Sequence, residues 1–178
     1  MEKVERLRRE LAYEGTILKV YKDYVRVPGG KEAVWDYIHH DGAAAVVPVT
    51  DDGKILMVRQ YRNALDRFTL ELPAGKVDDP DEPRIECAAR ELEEETGYRS
   101  ENLSLLITVN TTVAFLDECI EIFVARDLIP TEQHLDEDED ISVEAYSVEE
   151  LLDMIRRQEL KDSKTVAGIL AYQALVSK

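Results

Sequence analysis

The sequence feature that most constrains the fold is a near-continuous apolar run from Ala43 to Thr50. Such a run is typical of a β-strand that is buried on both faces, because a strand with one wet face would alternate apolar and polar residues. The turn sequence Asp51-Asp52-Gly53 follows, and residues 54–60 and 68–72 have the composition of further strands. The run therefore predicts a sheet that is covered by other layers on both sides.

Helical patterns lie in the middle and at the end of the chain. From Arg84 onward, apolar residues follow the three-and-four spacing of one buried stripe, with Ile85 at its start. Ser147-Val-Glu-Glu150 has the pattern of a capping box before a helix over 151–157, and residues 164–176 predict a second C-terminal helix. Strands mixed with helices in this order predict an α+β fold, with helices on two sides of a mixed sheet.

The residues before His40 have a pattern of their own. A sheet of three short strands is not stable alone in water, so either the main domain or a second subunit must cover it. We therefore expect a small N-terminal antiparallel sheet over 1–40 and a main domain over 41–178. The stretches that alternate or cluster in β fashion are residues 16–22, 24–27 and 33–38, with a Pro-Gly-Gly turn between the last two.

An acidic helical segment within residues 75–98 contains the main candidates for chemistry. Glu91 and Glu95 are one turn apart, so their side chains project from the same side of the helix. Arg90 is four residues before Glu94, within reach of an ion pair. Carboxylate oxygens are the ligands that Mg²⁺ prefers, whereas a solvated acidic helix face is the usual meaning of such a charge run. The glycines and arginine around the glutamates favour a metal site.

The charge balance excludes some partners. With 22 Lys and Arg against 38 Asp and Glu, the formal net charge is −16, which argues against binding of nucleic acid. An acidic site would also repel a phosphate-bearing substrate, but a bound Mg²⁺ ion reverses the local field. The N-terminus is charged throughout, and no apolar run approaches the length that spans a membrane. These features predict a cytoplasmic protein without membrane segments.

The acidic segment closely resembles the signature box of the Nudix hydrolases. That box runs Gly, five residues, Glu, seven residues, then Arg-Glu-apolar-x-Glu-Glu-x-Gly-apolar. Here Gly75 and Glu82 are separated by six residues, one more than in the strict pattern, and Arg90 to Tyr98 keep the spacing. The resemblance implies an α/β/α sandwich and a hydrolase that cleaves diphosphate bonds with divalent ions, Mg²⁺ or Mn²⁺.

Three other segments are similar to the ADP-ribose pyrophosphatase branch of that family: residues 57–62, 71–75 and 162–170. In that branch, an N-terminal sheet is exchanged across a homodimer and completes the adenine pocket of the partner. The resemblance therefore implies a homodimer that hydrolyses a nucleoside diphosphate compound, with ADP-ribose cleaved to AMP and ribose 5-phosphate as the leading candidate.

The resemblance also implies roles for individual residues. Two alternatives remain open. The acidic loop that contains Glu137 and Glu139 could be an ordinary solvated loop, and Trp35 could be an ordinary core residue. The implied metal ligands are the Ala74 carbonyl, Glu91, Glu95 and Glu139. The implied catalytic group is Glu137 as base or water-orienting residue, Glu94 in support and Arg90 as orienting cation. The implied substrate-binding group is Arg62, Arg59, Trp35 and Phe115.

One departure from the branch widens the choice of substrate. Val113 stands where these pyrophosphatases carry a proline, although Phe115, Asp117 and Glu118 fit the pattern. Another nucleotide sugar, GDP-mannose among them, or a dinucleotide therefore remains an alternative. A Nudix domain without catalysis that senses a ligand is an alternative of a different class, and the intact box glutamates argue against it.

Overall fold

The structure is a computed structural model, and it describes residues 1–16, 18–137 and 139–176. None of the helices within these ranges is long and apolar enough to cross a membrane. The elements of the described chain are β1 Glu5–Glu14, β2 Lys19–Arg26, β3 Glu32–His39, β4 Ala43–Pro48, β5 Ile55–Arg62, a 3₁₀ turn Asn63–Leu65, β6 Arg67–Glu71, β7 Ala74–Lys76, α1 Arg84–Thr96, β8 Tyr98–Arg99, β9 Asn102–Asn110, β10 Cys119–Arg126, β11 Ile129–Pro130, β12 Ile141–Tyr146, α2 Val148–Arg156 and α3 Ser163–Leu175.

The backbone contacts divide the chain into two compact units. Unit 1 comprises Met1–Gly42 together with Asn110–Cys119, and unit 2 comprises Ala43–Val109 together with Ile120–Lys178. The domain division near His40 stays a prediction of the sequence. The sequence did not predict that Asn110–Cys119 belongs to unit 1, because this segment lies between two strands of unit 2 along the chain.

Unit 1 contains the predicted three-stranded antiparallel sheet, in the order β1-β2-β3. Two of the predicted strands were wrong, because the structure has a single strand, β2 Lys19–Arg26, where the sequence predicted separate runs over 16–22 and 24–27. Ile17 lies outside the described residues. Strand β1 was not predicted. Strand β1 alternates charges with only scattered apolar residues and is exposed along nearly its whole length. Its stability comes from pairing with β2, so the strand has no hydrophobic pattern to detect.

Unit 2 has two main sheets. One is mixed, in the order β7-β4-β10-β9, with β10 parallel and β7 antiparallel to β4. The other is antiparallel, in the order β12-β5-β6. A short antiparallel pair joins β11 to β8. The antiparallel strand β12 was not predicted: its first residue, Ile141, was placed in the acidic loop, and residues 142–146 were assigned to no element.

Strand β4 is buried on both faces, as its apolar run predicts. Ala44 and Val46 pack with α1 residues such as Leu92, whereas Ala45 and Val47 belong to the core on the other face, which the α2 and α3 residues complete. Helices therefore cover both sides of the mixed sheet, and the predicted α+β sandwich is confirmed. The predicted capping box is also present: the Ser147 hydroxyl accepts from the Glu150 N–H, and the Glu150 carboxylate accepts from the Ser147 N–H.

Candidate active site

Helix α1 places the acidic residues of the box. It ends at Gly97, whose φ of 68° is in the left-handed region that glycine adopts without a Cβ clash, and the Gly97 N–H donates to the Glu93 carbonyl at 2.9 Å. The buried side of the helix contains Cys87, Ala88 and Leu92. Ile85, which the spacing assigned to the buried stripe, is 45% exposed instead. The stripe thus begins one half-turn later, at Cys87.

Glu91 and Glu95 lie together on the inner side of α1, as their spacing predicts. Burial raises the pKa of the Glu91 carboxyl to about 7, against the lowering effect of Arg90. Burial also raises the pKa of the Glu95 carboxyl to about 8, and the negative charges of Glu91 and Glu139 raise it further. Ionisation of two neighbouring carboxyl groups is costly in this setting. A bound cation would offset that cost, because it favours the charged form of both groups.

The backbone turn at 73–75 lies directly against these carboxylates. The Ala74 N–H donates to Oε2 of Glu95 at 2.8 Å. At Gly75, an added Cβ would come 2.0 Å from Oε1 of Glu91, so only glycine allows the strand to approach the carboxylate this closely. The backbone at Ala74 and Gly75 therefore packs directly against the two carboxylates.

Arg90 connects the remaining acidic residues of the box. Its Nη1 donates to Glu91 at 2.7 Å and to Glu94 at 3.0 Å, and its Nε donates to Glu82 at 3.3 Å. Its Nη2 also donates to the Lys76 carbonyl at 3.1 Å. Although burial opposes the charge, the three carboxylates raise the pKa of the guanidinium, which stays a cation. Arg90 therefore fixes the orientation of the Glu91 carboxylate and joins the loop that contains Glu82 to helix α1.

The two candidates from the late acidic loop differ in their surroundings. The charge of Glu139 raises the pKa of both Glu91 and Glu95, so its carboxylate belongs to the same electrostatic group. The Asp136 N–H donates to Oε2 of Glu139 at 3.2 Å. Glu137 is exposed, and its neighbour Asp138 lies outside the described residues.

The donor set of the two carboxylates fits a hard divalent cation, because such ions prefer oxygen ligands. Among the described residues, no three acidic, histidine or cysteine side chains converge closely enough to form a metal site by themselves. One reason is that Arg90 holds Glu91 and Glu94. Backbone oxygen and water must therefore complete the shell, as is usual for Mg²⁺.

A second charged group lies beside the first and was not predicted as a unit. The Glu71 carboxylate is 3% exposed and accepts two hydrogen bonds from Arg62, at 2.8 and 2.7 Å, and one from Lys164. Burial raises the pKa of Glu71, but the two cations outweigh it and lower the pKa to about 2. Asp162 accepts from Lys164 at 3.0 Å and caps α3 through the Thr165 N–H.

Arg62 and Arg59 both line an open cleft of about 620 Å³ in unit 2. The Arg62 contact to Glu71 uses Nε and Nη2, and Nη1 makes no hydrogen bond within the described residues. Arg59 is held by Glu144 through Nε and Nη2. The sequence contains Glu71, Glu144 and Lys164, but their pairing joins positions 9 to 93 residues apart, so only the fold reveals it.

Trp35 and Phe115 line a groove of about 870 Å³ within unit 1. They are 48% and 47% exposed, so neither is a buried core residue of its own unit. Strand alternation places Trp35 with Tyr37 on one face of the sheet, while Val34 and Asp36 face the other. The structure therefore places both aromatic candidates in the lining of one groove.

A family model for the NUDIX domain matches residues 39–167. The chain belongs to the Nudix family. It is 38% identical over 167 residues to a protein named ADP-ribose pyrophosphatase of Bacillus subtilis, covering 93% of this chain and 90% of that protein. It is also 38% identical over 169 residues to a protein named methanol dehydrogenase activator of Bacillus methanolicus, covering 94% and 91%.

A solved structure of an ADP compounds hydrolase has the same fold, with a TM-score of 0.87 at 21% identity, over 100% of this chain and 98% of the other. The predicted Nudix-like fold is therefore confirmed. This Nudix protein is a hydrolase that acts on pyrophosphate bonds, and such enzymes require a divalent metal ion. The box residues 75–97, including the extra loop residue, lie inside the matched region.

Proposed function

We propose that the protein is a Mg²⁺-dependent pyrophosphatase that hydrolyses ADP-ribose to AMP and ribose 5-phosphate. The observation that carries the proposal is the pair of carboxylates formed by the partly buried Glu91 and the buried Glu95, packed against the backbone at Ala74 and Gly75. A buried pair of carboxylates without a cation is costly, and a metal ion removes that cost. The similarity to an ADP-ribose pyrophosphatase over nearly the whole chain supports the substrate.

We assign the metal shell to the Ala74 carbonyl, Glu91, Glu95 and Glu139. Divalent ions held by these residues would lower the pKa of a water molecule and offset the negative charge on the diphosphate. Manganese is an acceptable substitute, because the same oxygen ligands suit both ions. Arg90 supports the shell, because its ion pair with Glu91 keeps that carboxylate in one orientation.

The reaction requires one proton acceptor and several cations from the protein. Water attacks one phosphorus, the bond from that phosphorus to the bridging oxygen breaks, and the leaving phosphate keeps the electron pair. Glu137, whose side chain is exposed to solvent, takes the proton of the attacking water. Glu94 supports the site through Arg90.

Arg62 and Arg59 bind the phosphates of the substrate. The carboxylate partner of each arginine holds the guanidinium plane in place, and this preorganisation lowers the entropic cost of binding. A planar guanidinium meets phosphate oxygens in pairs, which an ammonium does not. Trp35 and Phe115 contact the base, as aromatic rings with exposed surface are suited to do.

A panel of substrates tests the proposal. Purified protein with Mg²⁺ is incubated with ADP-ribose, GDP-mannose and a dinucleotide, and the products are separated by chromatography. We expect AMP and ribose 5-phosphate from ADP-ribose at the highest kcat/KM, full loss of activity with excess chelator, and recovery with Mg²⁺ or Mn²⁺. A higher kcat/KM for GDP-mannose would show that this nucleotide sugar is the substrate instead, the alternative suggested by Val113 in place of the proline. Undiminished hydrolysis in chelator would refute the metal mechanism.

We further propose a cytoplasmic homodimer in which the N-terminal sheet, residues 1–40, is exchanged and contributes to the substrate site of the partner. Several large apolar side chains of this sheet are exposed in the single chain: Leu7, Leu11, Tyr13, Leu18, Val34 and Trp35. A second copy that covers them gives an isologous interface. Deletion of residues 1–40 should abolish both dimerisation, measured by analytical ultracentrifugation, and ADP-ribose affinity. A truncated protein that is monomeric and fully active would contradict the proposal.

A further inference from the structure

The segment 110–119, here the 110–119 loop, belongs to unit 1 although it connects strands β9 and β10. Its ends are joined by Thr111, whose N–H donates to the Glu118 carbonyl at 3.4 Å and whose hydroxyl donates to the Glu118 carboxylate. In its middle, the Leu116 N–H donates to the Thr112 carbonyl at 3.1 Å. Hydrogen bonds within the loop therefore define its shape in addition to its contacts with the sheet.

The 110–119 loop attaches to the edge strand β3 by two backbone hydrogen bonds. The Ile38 N–H donates to the Phe115 carbonyl at 2.7 Å, and the Asp117 N–H donates to the Ile38 carbonyl at 3.3 Å. Leu116 and Ile38 form a single parallel bridge. Each exposed backbone hydrogen bond has a small net stability, so two of them alone hold a ten-residue loop only weakly.

The carboxylate of Asp117 makes most of the side-chain attachment, next to a contact of 3.6 Å between Glu118 Oε1 and Nε2 of His40. Its Oδ1 accepts the His40 N–H at 2.9 Å, and its Oδ2 accepts the Tyr37 hydroxyl and contacts Nδ1 of His39 at 2.9 Å. Partial burial raises the pKa of Asp117, but these donors outweigh it and lower the pKa below its usual value. One side chain thus joins the loop to three positions at the end of β3.

Tyr37 is itself held in place before it meets Asp117. The Arg9 guanidinium lies 3.5 Å from the centre of the Tyr37 ring, and the Tyr21 ring lies 5.8 Å away. Arg9 is fixed in turn by two hydrogen bonds to Asp23, at 2.6 and 2.7 Å. The hydroxyl therefore has a defined direction, which a mobile surface tyrosine lacks.

We propose that Asp117 is a positioning residue for substrate binding: it holds the 110–119 loop on β3 so that Phe115 and the groove beside it are formed before the substrate arrives. Phe115 is two residues before Asp117 and lines this groove with Ile38, the residue that takes part in both backbone hydrogen bonds. The inference rests on the proposed function, in which Phe115 contacts the base. When the binding-competent conformation is only partly populated, the apparent affinity falls by that fraction.

Two mild substitutions and one control test the inference. Asp117→Asn keeps the shape but replaces an acceptor oxygen and the charge by an amide. Tyr37→Phe removes only the hydroxyl that donates to Asp117. Tyr24→Phe is the matched control, because it makes the same change in the same sheet and keeps the ring that Arg8 covers. The full-length variants, and the double variant of Asp117 and Tyr37, are compared by hydrogen exchange of the peptides covering 38–40 and 111–118.

Steady-state kinetics with ADP-ribose and Mg²⁺ give the second measurement. We expect faster exchange in both peptides and a KM raised about threefold to tenfold in each single variant, with kcat within about twofold of the original protein. The double variant should be no worse than the poorer single one, because both changes remove the same contact. Tyr24→Phe should alter neither measurement.

The measurements separate the inference from the proposed function. Unchanged exchange, or faster exchange with an unchanged KM, would overturn the positioning role, since the contact would then be absent or merely structural. A fall of kcat at constant KM would overturn it too, because positioning for binding acts on affinity. An original protein that does not hydrolyse ADP-ribose would refute the proposed function and the substrate part of this inference, while hydrogen exchange would still decide whether Asp117 holds the loop.

Discussion

Replacement of Glu71 by glutamine tests the buried charge group that Glu71 forms with Arg62 and Lys164. The Glu71 side chain is 3% exposed and is held by Arg62 and Lys164. The Glu71→Gln substitution would keep the shape of the side chain but leave two cations facing a neutral amide. Removal of one member of a buried ion pair is strongly destabilising, because the remaining charge is desolvated without compensation.

The pKa of Glu71 sets the magnitude of this effect. Arg62 and Lys164 lower it from 4.5 to about 2, despite the opposing effect of burial. At about 1.4 kcal/mol for each unit, the carboxylate contributes about 3 kcal/mol to the free energy of unfolding at neutral pH. Because the pKa is lower in the folded state, the contribution is present above the unfolded pKa near 4.5 and is lost as the pH falls towards about 2.

Urea denaturation of the original protein and the Glu71→Gln variant at about pH 7 and about pH 3 measures both parts of the expectation. The difference in unfolding free energy should be about 3 kcal/mol at the higher pH and clearly smaller at the lower one. Glu144→Gln is the matched control: Glu144 also holds an arginine, Arg59, by two hydrogen bonds, but it is 33% exposed and should cost at most about 1 kcal/mol. A Glu71→Gln loss no larger than that of the control, or one independent of pH, would refute the reasoning.

Three further predictions concern α1, β7 and the N-cap of α2. Glu95→Gln should lower kcat about 100-fold or more, and near-normal turnover would contradict the metal assignment. Its unfolding in chelator should need equal or more urea, because the substitution removes the cost of burying a carboxyl whose pKa is raised to about 8. Gly75→Ala should lower kcat as well, because the new Cβ would fall 2.0 Å from the Glu91 carboxylate oxygen, and an unchanged kcat would show that the turn adapts. Ser147→Ala should cost about 1 kcal/mol of unfolding free energy by loss of the α2 cap, with kcat unchanged; no change in denaturation would mean that another group replaces the cap.

The parts of the fold that the sequence predicted are those with a strong local pattern. The apolar run of β4, the helical spacing of α1 and the capping box at Ser147 each specify an element through neighbours within a few residues. Strand β1 was missed because both of its faces are largely exposed, so its sequence lacks the alternation of apolar and polar residues that marks a half-buried strand. Ile85 was misassigned because a 3.6-residue period allows the edge of a buried stripe to shift by about half a turn.

The composition of the acidic site was also readable from the sequence. Glu91 and Glu95 are one helical turn apart, and this spacing alone places both carboxylates on the same side of α1. The spacing cannot show what faces them. That the Ala74 N–H reaches Glu95, and that Gly75 leaves no room for a Cβ beside Glu91, depends on how β7 meets the helix.

Tertiary structure alone decided the partners of the other charged residues. Glu71 meets Lys164 across 93 residues of chain, and Tyr37 meets Asp117 across 80. Hydrophobic spacing determines which side of an element is buried, because that choice depends on local periodicity and is repeated at every turn. The pairing of single polar side chains has no such repetition. It is determined only when strands and loops far apart in sequence are packed together and each buried polar group must find a partner.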